Sequence, residues 1–427
     1  MPGQSIPDPV TDKLSLIPYV FLSASSSGGE SIDEVVLDAL CAIRLYLDME
    51  VAFVAEFAGG RRRFRYVDSS LKHPPIAVGD SDPLEQSYCQ RIVDGRLPEL
   101  IHDASALPAA ADLVATMAMP VGAHLSVPIR LSNGQIYGTF CCFSTRPDFS
   151  LGDRDLAIMH LFADFASRQI GRDLATQRSN REMHQRLASV LESESFTVVY
   201  QPIVELSEDR IVGFEALTRF WARPIRSPDV WFSEAAEVGL SEKLEMTAIA
   251  KALTGFNHIP DDIYLSINVS PKNILNGAIH RALAGAPLHR IVLEVTEHVP
   301  IPDYSQFDQS LAPLREGQGP AKGQRGIRLA VDDAGAGYAS FLHILKLKPE
   351  IIKLDIGLIR NIDTDITRRS LTAALVGFAQ ESGSKLIAEG VETAAELDTL
   401  KQLHVSVAQG YLLGHPLPIS ETAALFE

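Results

Sequence analysis

Between residues 198 and 413 the chain repeats one unit, a short apolar run followed by a helical stretch. There are eight such runs: VVYQPIV (198–204), GFEALTRF (213–220), YLSINVS (264–270), IVLEVTE (291–297), RLAVDDA (328–334), EIIKLDI (350–356), KLIAEGV (385–391) and VAQGYLL (407–413). Stretches such as FSEAAEVGLSEKLEMTAIAKAL and RRSLTAALVGFAQESG lie between them. Alternation of strand and helix over this length predicts an α/β fold, a TIM-like (β/α)8 barrel. The first connection, ELSEDR, is too short for a parallel crossover, so the first strand is predicted to run antiparallel to the second.

The polar residues of these runs fall into register. Glu215 lies in the second run, Asn268 near the end of the third and Glu294 in the fourth. Asp332 and Asp333 end the fifth, Lys353 lies in the sixth, Glu389 in the seventh and Gln409 in the eighth. The C-terminal strand ends of a barrel converge on one mouth, where catalytic groups sit. Any one of these residues alone would pass as a stray polar residue or a helix cap. Together they place five carboxylates, two amides and one lysine in a single cleft.

That cleft demands cations. Two adjacent carboxylates repel by roughly 4 kcal/mol at ~4 Å with an effective dielectric of ~20. One lysine does not neutralise five such groups, and no His or Cys accompanies them. An oxygen-only donor set selects Mg²⁺ or Mn²⁺ rather than zinc. A double-carboxylate step such as Asp332-Asp333 suits a bridge between two metals, the arrangement that clamps the attacking water and the leaving oxygen of a phosphate ester.

Residues 30–150 read differently. Ser31 to Leu47 has helical spacing, and VAFVAEF and RRFRYV flank Gly59-Gly60 as a hairpin. HLSVPIRL and IYGTFCCFS flank Ser132-Asn133-Gly134, where Asn-Gly predicts a type I′ turn. Helix, antiparallel strands and helix predict a small α+β sensor-like domain. The segments LEQSYCQRIVDGRLPELIHDA and SVPIRLSNGQIYGTFCCFS resemble a GAF domain over about 120 residues and name no ligand for it. His102 and His124 are read as structural or surface residues. From Asp153, Leu156, Met159, Ala163, Ala166 and Ile170 follow an a/d spacing. That spacing fits either the last helix of the first domain or a dimeric signalling helix. The organisation expected is an N-terminal extension (1–29), a GAF-like domain (30–170), a helical linker (171–192) and the barrel (193–427).

Composition removes other classes. The net charge of −16 argues against polymeric nucleic acid as a partner, since its backbone is held mainly by Lys and Arg. The apolar LSLIPYVFLSA is interrupted by Pro18, and no run reaches the ~18 residues of a membrane span, so a soluble protein is expected. Cys41, Cys89, Cys141 and Cys142 show no CxxC spacing and are read as reduced core residues in a cytoplasmic setting. Cys141 and Cys142, adjacent on a strand, should face opposite sides.

In the second half YQPIV, FEALTRF, INVSP, LEVTE, VDDAGAG, IIKLD, AEGVE and QGYLLGHPLP appear in order. This series resembles the EAL-domain phosphodiesterases, which open cyclic di-GMP to linear pGpG, over roughly residues 190–427. By that resemblance Glu215, Asn268, Glu294 and Asp332 bind one metal, and Asp332 and Asp333 serve a second. Lys353 orients the attacking water, Glu389 acts as base or supports the metals, and Gln409 completes the site through water. Gln201, Leu217, Arg219, Asn268 and Asp355 meet the substrate, and Glu297 braces the loop after Asp333. The resemblance also implies a homodimer.

Two departures stand out. The family's Phe-Gly-Thr-Gly after the aspartates is here Ala334-Gly335-Ala336-Gly337, and REGQGPAKGQRG (315–326) reads as a longer solvent loop. The rival expectation is a barrel that holds cyclic di-GMP without cutting it. Such receptors lose metal ligands or the lysine, and this sequence keeps them. No diguanylate-cyclase pattern is apparent.

Overall fold

Alternating apolar residues in the first half build a six-stranded antiparallel sheet, order β3-β2-β1-β6-β5-β4. The strands are β1 (Val51–Ala58), β2 (Arg61–Ser69), β3 (Ser81–Pro83), β4 (Leu100–Ile101), β5 (His124–Arg130) and β6 (Ile136–Phe143). The computed structural model describes residues 32–111, 113, 116, 121–296, 301–316, 326–335 and 339–426. The expected N-terminal extension and Glu297 therefore lie outside the described residues, as does most of the 315–326 loop.

The period of two decides which side chains meet on each face of this sheet. Val54, Val127, Phe140 and Cys142 pack against the helix Ile32–Leu47 and the start of the helix Asp153–Glu192. Phe53, Phe64, Cys141 and Phe143 face the other side, with Tyr88 and Cys89. Cys141 and Cys142 thus part as expected. The β5–β6 hairpin corrects one detail. Of Asn133 and Gly134 only Gly134 takes a positive φ, +82°, and the Asn133 side chain accepts from Gln135 N at 3.0 Å. The third loop residue, Ser132, makes this a three-residue turn with glycine in the left-handed position rather than type I′.

The helix Asp153–Glu192 runs for 40 residues, and the chain divides into two compact units within it, at Ser179/Asn180. Met159, Ala163, Ala166 and Ile170 are buried in the core of the first unit. The a/d spacing is therefore spent inside the domain, which decides for the final-helix reading over that stretch. At the far end Leu187, Val190 and Leu191 pack with Phe196, Trp231 and Leu244 of the second unit.

The second unit is a closed eight-stranded barrel, order β10-β11-β12-β13-β14-β7-β8-β9. Its strands are β7 (Phe196–Glu205), β8 (Arg210–Phe220), β9 (Tyr264–Asn268), β10 (Ile291–Thr296), β11 (Arg328–Ala334), β12 (Ile351–Leu354), β13 (Lys385–Ala388) and β14 (Val407–Ala408). β7 is antiparallel to both of its neighbours, β8 and β14, and the remaining pairs are parallel. Inside the barrel Ile203, Val292, Ala330, Ile351, Ile387 and Val407 form one apolar layer. Gly213 leaves room there for Tyr264, whose ring lies 2.5 Å from where a Cβ would stand. Among the described residues no helix is long and apolar enough to cross a membrane.

Candidate active site

Two residues on from each member of that apolar layer, the strand again points into the barrel. Val292 leads to Glu294, Ala330 to Asp332, Ile351 to Lys353, Ile387 to Glu389 and Val407 to Gln409. On β7, which runs the other way, Ile203 leads back to Gln201, which pairs with Glu215 of β8. Glu215 is level with Ser266 on β9, and Glu294 with Asn268. The polar residues are thus the layer above an apolar floor.

Asp332 and Asp333 require more than alternation, since neighbours on a strand face opposite sides. The β11–β12 register shifts between Val331 and Ala334, and Asp333 takes φ +57°. This local irregularity re-aims the side chain. Carboxylate oxygens of Asp332, Asp333 and Glu389 consequently come within 4.8 Å of one another, as do those of Glu215, Glu294 and Asp332. Gly335, at φ +108°, turns the chain immediately afterwards.

Lys353 is fully buried at the centre. Its Nζ lies 2.7 Å from Glu389 Oε1, 2.8 Å from Glu294 Oε2, 3.1 Å from Asp332 Oδ1 and 3.5 Å from Glu215 Oε2. Burial works against its charge, but Asp332, Glu215, Glu294 and Glu389 outweigh it and raise the ammonium pKa well above its usual value. Burial pushes Glu294 and Glu389 well above the usual carboxylate range, with Lys353 opposing and the neighbouring carboxylates reinforcing the rise. Without added positive charge, this cluster keeps protons.

Amides and a hydroxyl hold the remaining oxygens. Asn268 Nδ2 donates to Glu215 Oε1 at 3.1 Å, and Gln409 Nε2 donates to Glu215 Oε2 at 2.7 Å and to Gln201 Oε1 at 3.1 Å. Ser266 Oγ donates to Glu294. Asp332 Oδ1 and Gln409 Oε1 are buried without a hydrogen-bond donor among the described residues. Lys353 meets Asp332 Oδ1 by charge alone. An all-oxygen donor set in which Gln409 Oε1 has no partner among the described residues fits hard divalent cations.

Above this floor opens a cleft of about 300 Å³, bounded by Gln201, Leu217, Ile356, Glu392, Gly410 and Tyr411. Gly410 is required for close approach, because a Cβ there would stand 2.1 Å from the Val391 carbonyl oxygen. Leu217 and Gln201 therefore join the site. Arg219 is half-buried and donates to Thr218 O at 2.9 Å, and no described contact links it to the acidic cluster. Asp355 Oδ1 accepts from Gly357 N at 2.8 Å, capping the short helix Ile356–Ile359. Ser266, Ile356, Glu392 and Tyr411 are additions to the sequence reading. Ser266 was within reach of it, being two residues from Asn268 on one strand.

Residues 182–416 match the family described as EAL domain, and residues 31–170 match the GAF domain. Cyclic di-GMP phosphodiesterase NbdA of Pseudomonas aeruginosa is 28% identical over 271 residues, 60% of this chain and 33% of that protein. Probable cyclic di-GMP phosphodiesterase PdeD of Escherichia coli is 28% identical over 241 residues, 54% of this chain and 43% of that protein. The match spans less than half the length of either relative. The EAL enzyme Bd1971, in its cAMP and cyclic-di-GMP bound form, shares the fold, with a TM-score of 0.54 at 15% identity over 89% of this chain and 93% of that one.

Proposed function

The chain belongs to the EAL-domain family, and from that premise we propose that it hydrolyses cyclic di-GMP to linear pGpG with two divalent cations, Mg²⁺ or Mn²⁺. The observation that carries this reading is the cluster of buried Glu215, Glu294 and Asp332 with half-buried Asp333 and Glu389, four of them around the single ammonium of Lys353. Five ionised carboxylates and one ammonium leave four negative charges, which two divalent cations would balance. Glu215, Asn268, Glu294 and Asp332 would hold one cation, and Asp332, Asp333 and Glu389 the other, with Gln409 completing the site through water. Such cations lower the pKa of a bound water and screen charge that builds on the phosphate.

The chain's own groups do the rest. Lys353, held by four carboxylates, orients the water, and Glu389 receives its proton. Gln201, Arg219 and Asn268 hold the phosphate and guanine edge, and Leu217 packs beside them. Asp355 acts through the helix it caps, whose first residue, Ile356, lines the cleft. Four free thiols support a cytoplasmic setting.

Incubation of the full chain with cyclic di-GMP should yield linear pGpG with Mg²⁺ or Mn²⁺ and none with EDTA. Calcium should inhibit, because its larger and looser shell does not keep a tight two-metal spacing. Substrate that binds but stays intact under both metals would assign the barrel as a receptor instead.

The GAF domain is proposed to regulate the barrel, in a homodimer, through the helix common to both units. One residue inserted after Thr176 rotates the helix ends by ~100° relative to each other, whereas seven leave them within ~20°. The single insertion should change kcat about fivefold or more, a usual coupling strength, and the seven-residue insertion should restore it. Unchanged turnover in both, at equal dimer fraction, removes the coupling.

A further inference from the structure

The apolar face of the first sheet hides a charged group. Arg62 of β2 is only 4% exposed and packs over the Phe64 ring at 4.7 Å. A buried guanidinium needs anionic or acceptor partners for its donors. On one side it has them in Asp82, which accepts from Nε at 3.0 Å and from Nη2. On the other, Nη1 donates to Cys89 Sγ at 3.3 Å. A neutral thiol is a weak acceptor, and a thiolate is a strong one. Cys89 Sγ in turn lies 3.7 Å from Cys141 Sγ, with both cysteines fully buried. Cys141 is not near the guanidinium in any described contact. Ser126 Oγ at 3.0 Å and Thr139 Oγ1 at 3.2 Å surround its sulfur.

A small cavity borders the Arg62 side of this cluster. Arg62, Tyr88 and His124 line it together with Phe53, Phe64 and Phe143, and its volume of about 20 Å³ holds roughly one water-sized molecule. His124 is 3% exposed and stacks on Tyr88 at 4.7 Å, and its Nδ1 has no hydrogen-bond partner among the described residues. Burial, reinforced by Arg62, pushes its pKa down to about 3, so the ring stays neutral. A guanidinium and an unpartnered imidazole nitrogen around a one-molecule space suit a small, uncharged ligand with oxygen atoms.

We propose that Cys89 and Cys141 are a hydroperoxide-reactive thiol pair, Cys89 attacking and Cys141 resolving. The thiolate sulfur of Cys89 attacks one oxygen of hydrogen peroxide and the O–O bond breaks. The departing hydroxide takes up the proton that Cys89 had released, giving water. Cys89, oxidised by two electrons, becomes a sulfenic acid. Cys141 then loses its proton and attacks that sulfur, and a second water leaves as the disulfide forms. Closing the bond brings the sulfurs from 3.7 Å to about 2.05 Å, tethering the helix Tyr88–Val93 to β6.

The two sulfurs are unequal in the way these roles require. Burial raises the Cys89 thiol, but the hydrogen bond from Cys141 and the charge of Arg62 bring it down to about 6. Burial and the neighbouring Cys89 push Cys141 well above its usual value.

The test is a peptide map of the full chain, reduced, freed of reductant, exposed to hydrogen peroxide, then unfolded and alkylated. Free thiols should fall from four to two per chain, with the Cys89 and Cys141 peptides joined and lighter by two hydrogens. Cys41 and Cys142 should remain alkylatable. Cys89→Ser should form no joined peptide and leave Cys141 reduced. Cys141→Ser should stop at a sulfenic acid on Cys89 that dimedone traps. A wild-type map with no joined peptide, or with loss confined to the more exposed Cys41, overturns the proposal. The wild-type map stands whether or not the variants fold.

Discussion

Asp332→Asn is expected to lower turnover about 10³-fold while raising the melting temperature of the metal-free chain. Asp332 belongs to both acidic groups, so its loss weakens both cation positions. Lewis-acid stabilisation contributes several kcal/mol, and each ~1.4 kcal/mol is a factor of ten in rate. The stability effect has the opposite sign. At an effective dielectric of ~20, an ammonium at 3.1 Å attracts by roughly 5 kcal/mol, and each carboxylate oxygen within 4.8 Å repels by roughly 3.5 kcal/mol or more. Even with Glu294 and Glu389 protonated, Glu215 and Asp333 together repel Asp332 more than Lys353 attracts it. Thermal melts in EDTA and in Mn²⁺, alongside kcat, read both effects. A variant that melts lower in EDTA would show that Lys353, not repulsion, dominates this aspartate.

Lys353→Met should do the reverse to stability. It removes the single cation among four carboxylates, and stranding buried charge costs about 3–5 kcal/mol. The metal-free variant should therefore melt well below the parent, and Mg²⁺ or Mn²⁺ should recover most of the difference. Turnover should not recover. A group that positions or transfers a proton contributes about 10²–10⁴-fold, and kcat of the metal-loaded variant should fall within that range. A loaded variant with unchanged kcat and raised KM would show that Lys353 holds substrate rather than water. The opposite melting shifts of these two variants separate the charge argument from a general loss of packing.

Much of the barrel was legible because its signal is local. Each strand is a short apolar run, and the residue two positions on shares its face, so Glu294, Lys353 and Glu389 announce a common mouth once eight runs are counted. The antiparallel β7 followed from the length of ELSEDR alone. The hairpin at Asn133-Gly134 is legible in the sequence and its turn type is not, because one added loop residue changes which position must be left-handed.

Other features depend on what lies far away in the chain. The a/d spacing from Leu156 to Ile170 is the same whether a second helix or the domain's own sheet covers it, and only packing shows that Met159, Ala163 and Ala166 face the sheet core. Asp355 stands at a site position by sequence, and only the structure shows that its Oδ1 also caps the helix Ile356–Ile359.

By itself the sequence determined the barrel, the antiparallel first strand, and an acidic mouth, the basis on which two cations are proposed, since alternation and charge balance operate over a few residues. Tertiary structure decided how adjacent aspartates come to share that mouth, through a register shift at β11 and the positive φ of Asp333. It also brought Cys89 to within 3.7 Å of Cys141, 52 positions away, beneath the guanidinium of Arg62. No periodicity encodes such a meeting. It arises when a helix and a strand bury their apolar faces against one another, and the polar atoms caught between them must find each other.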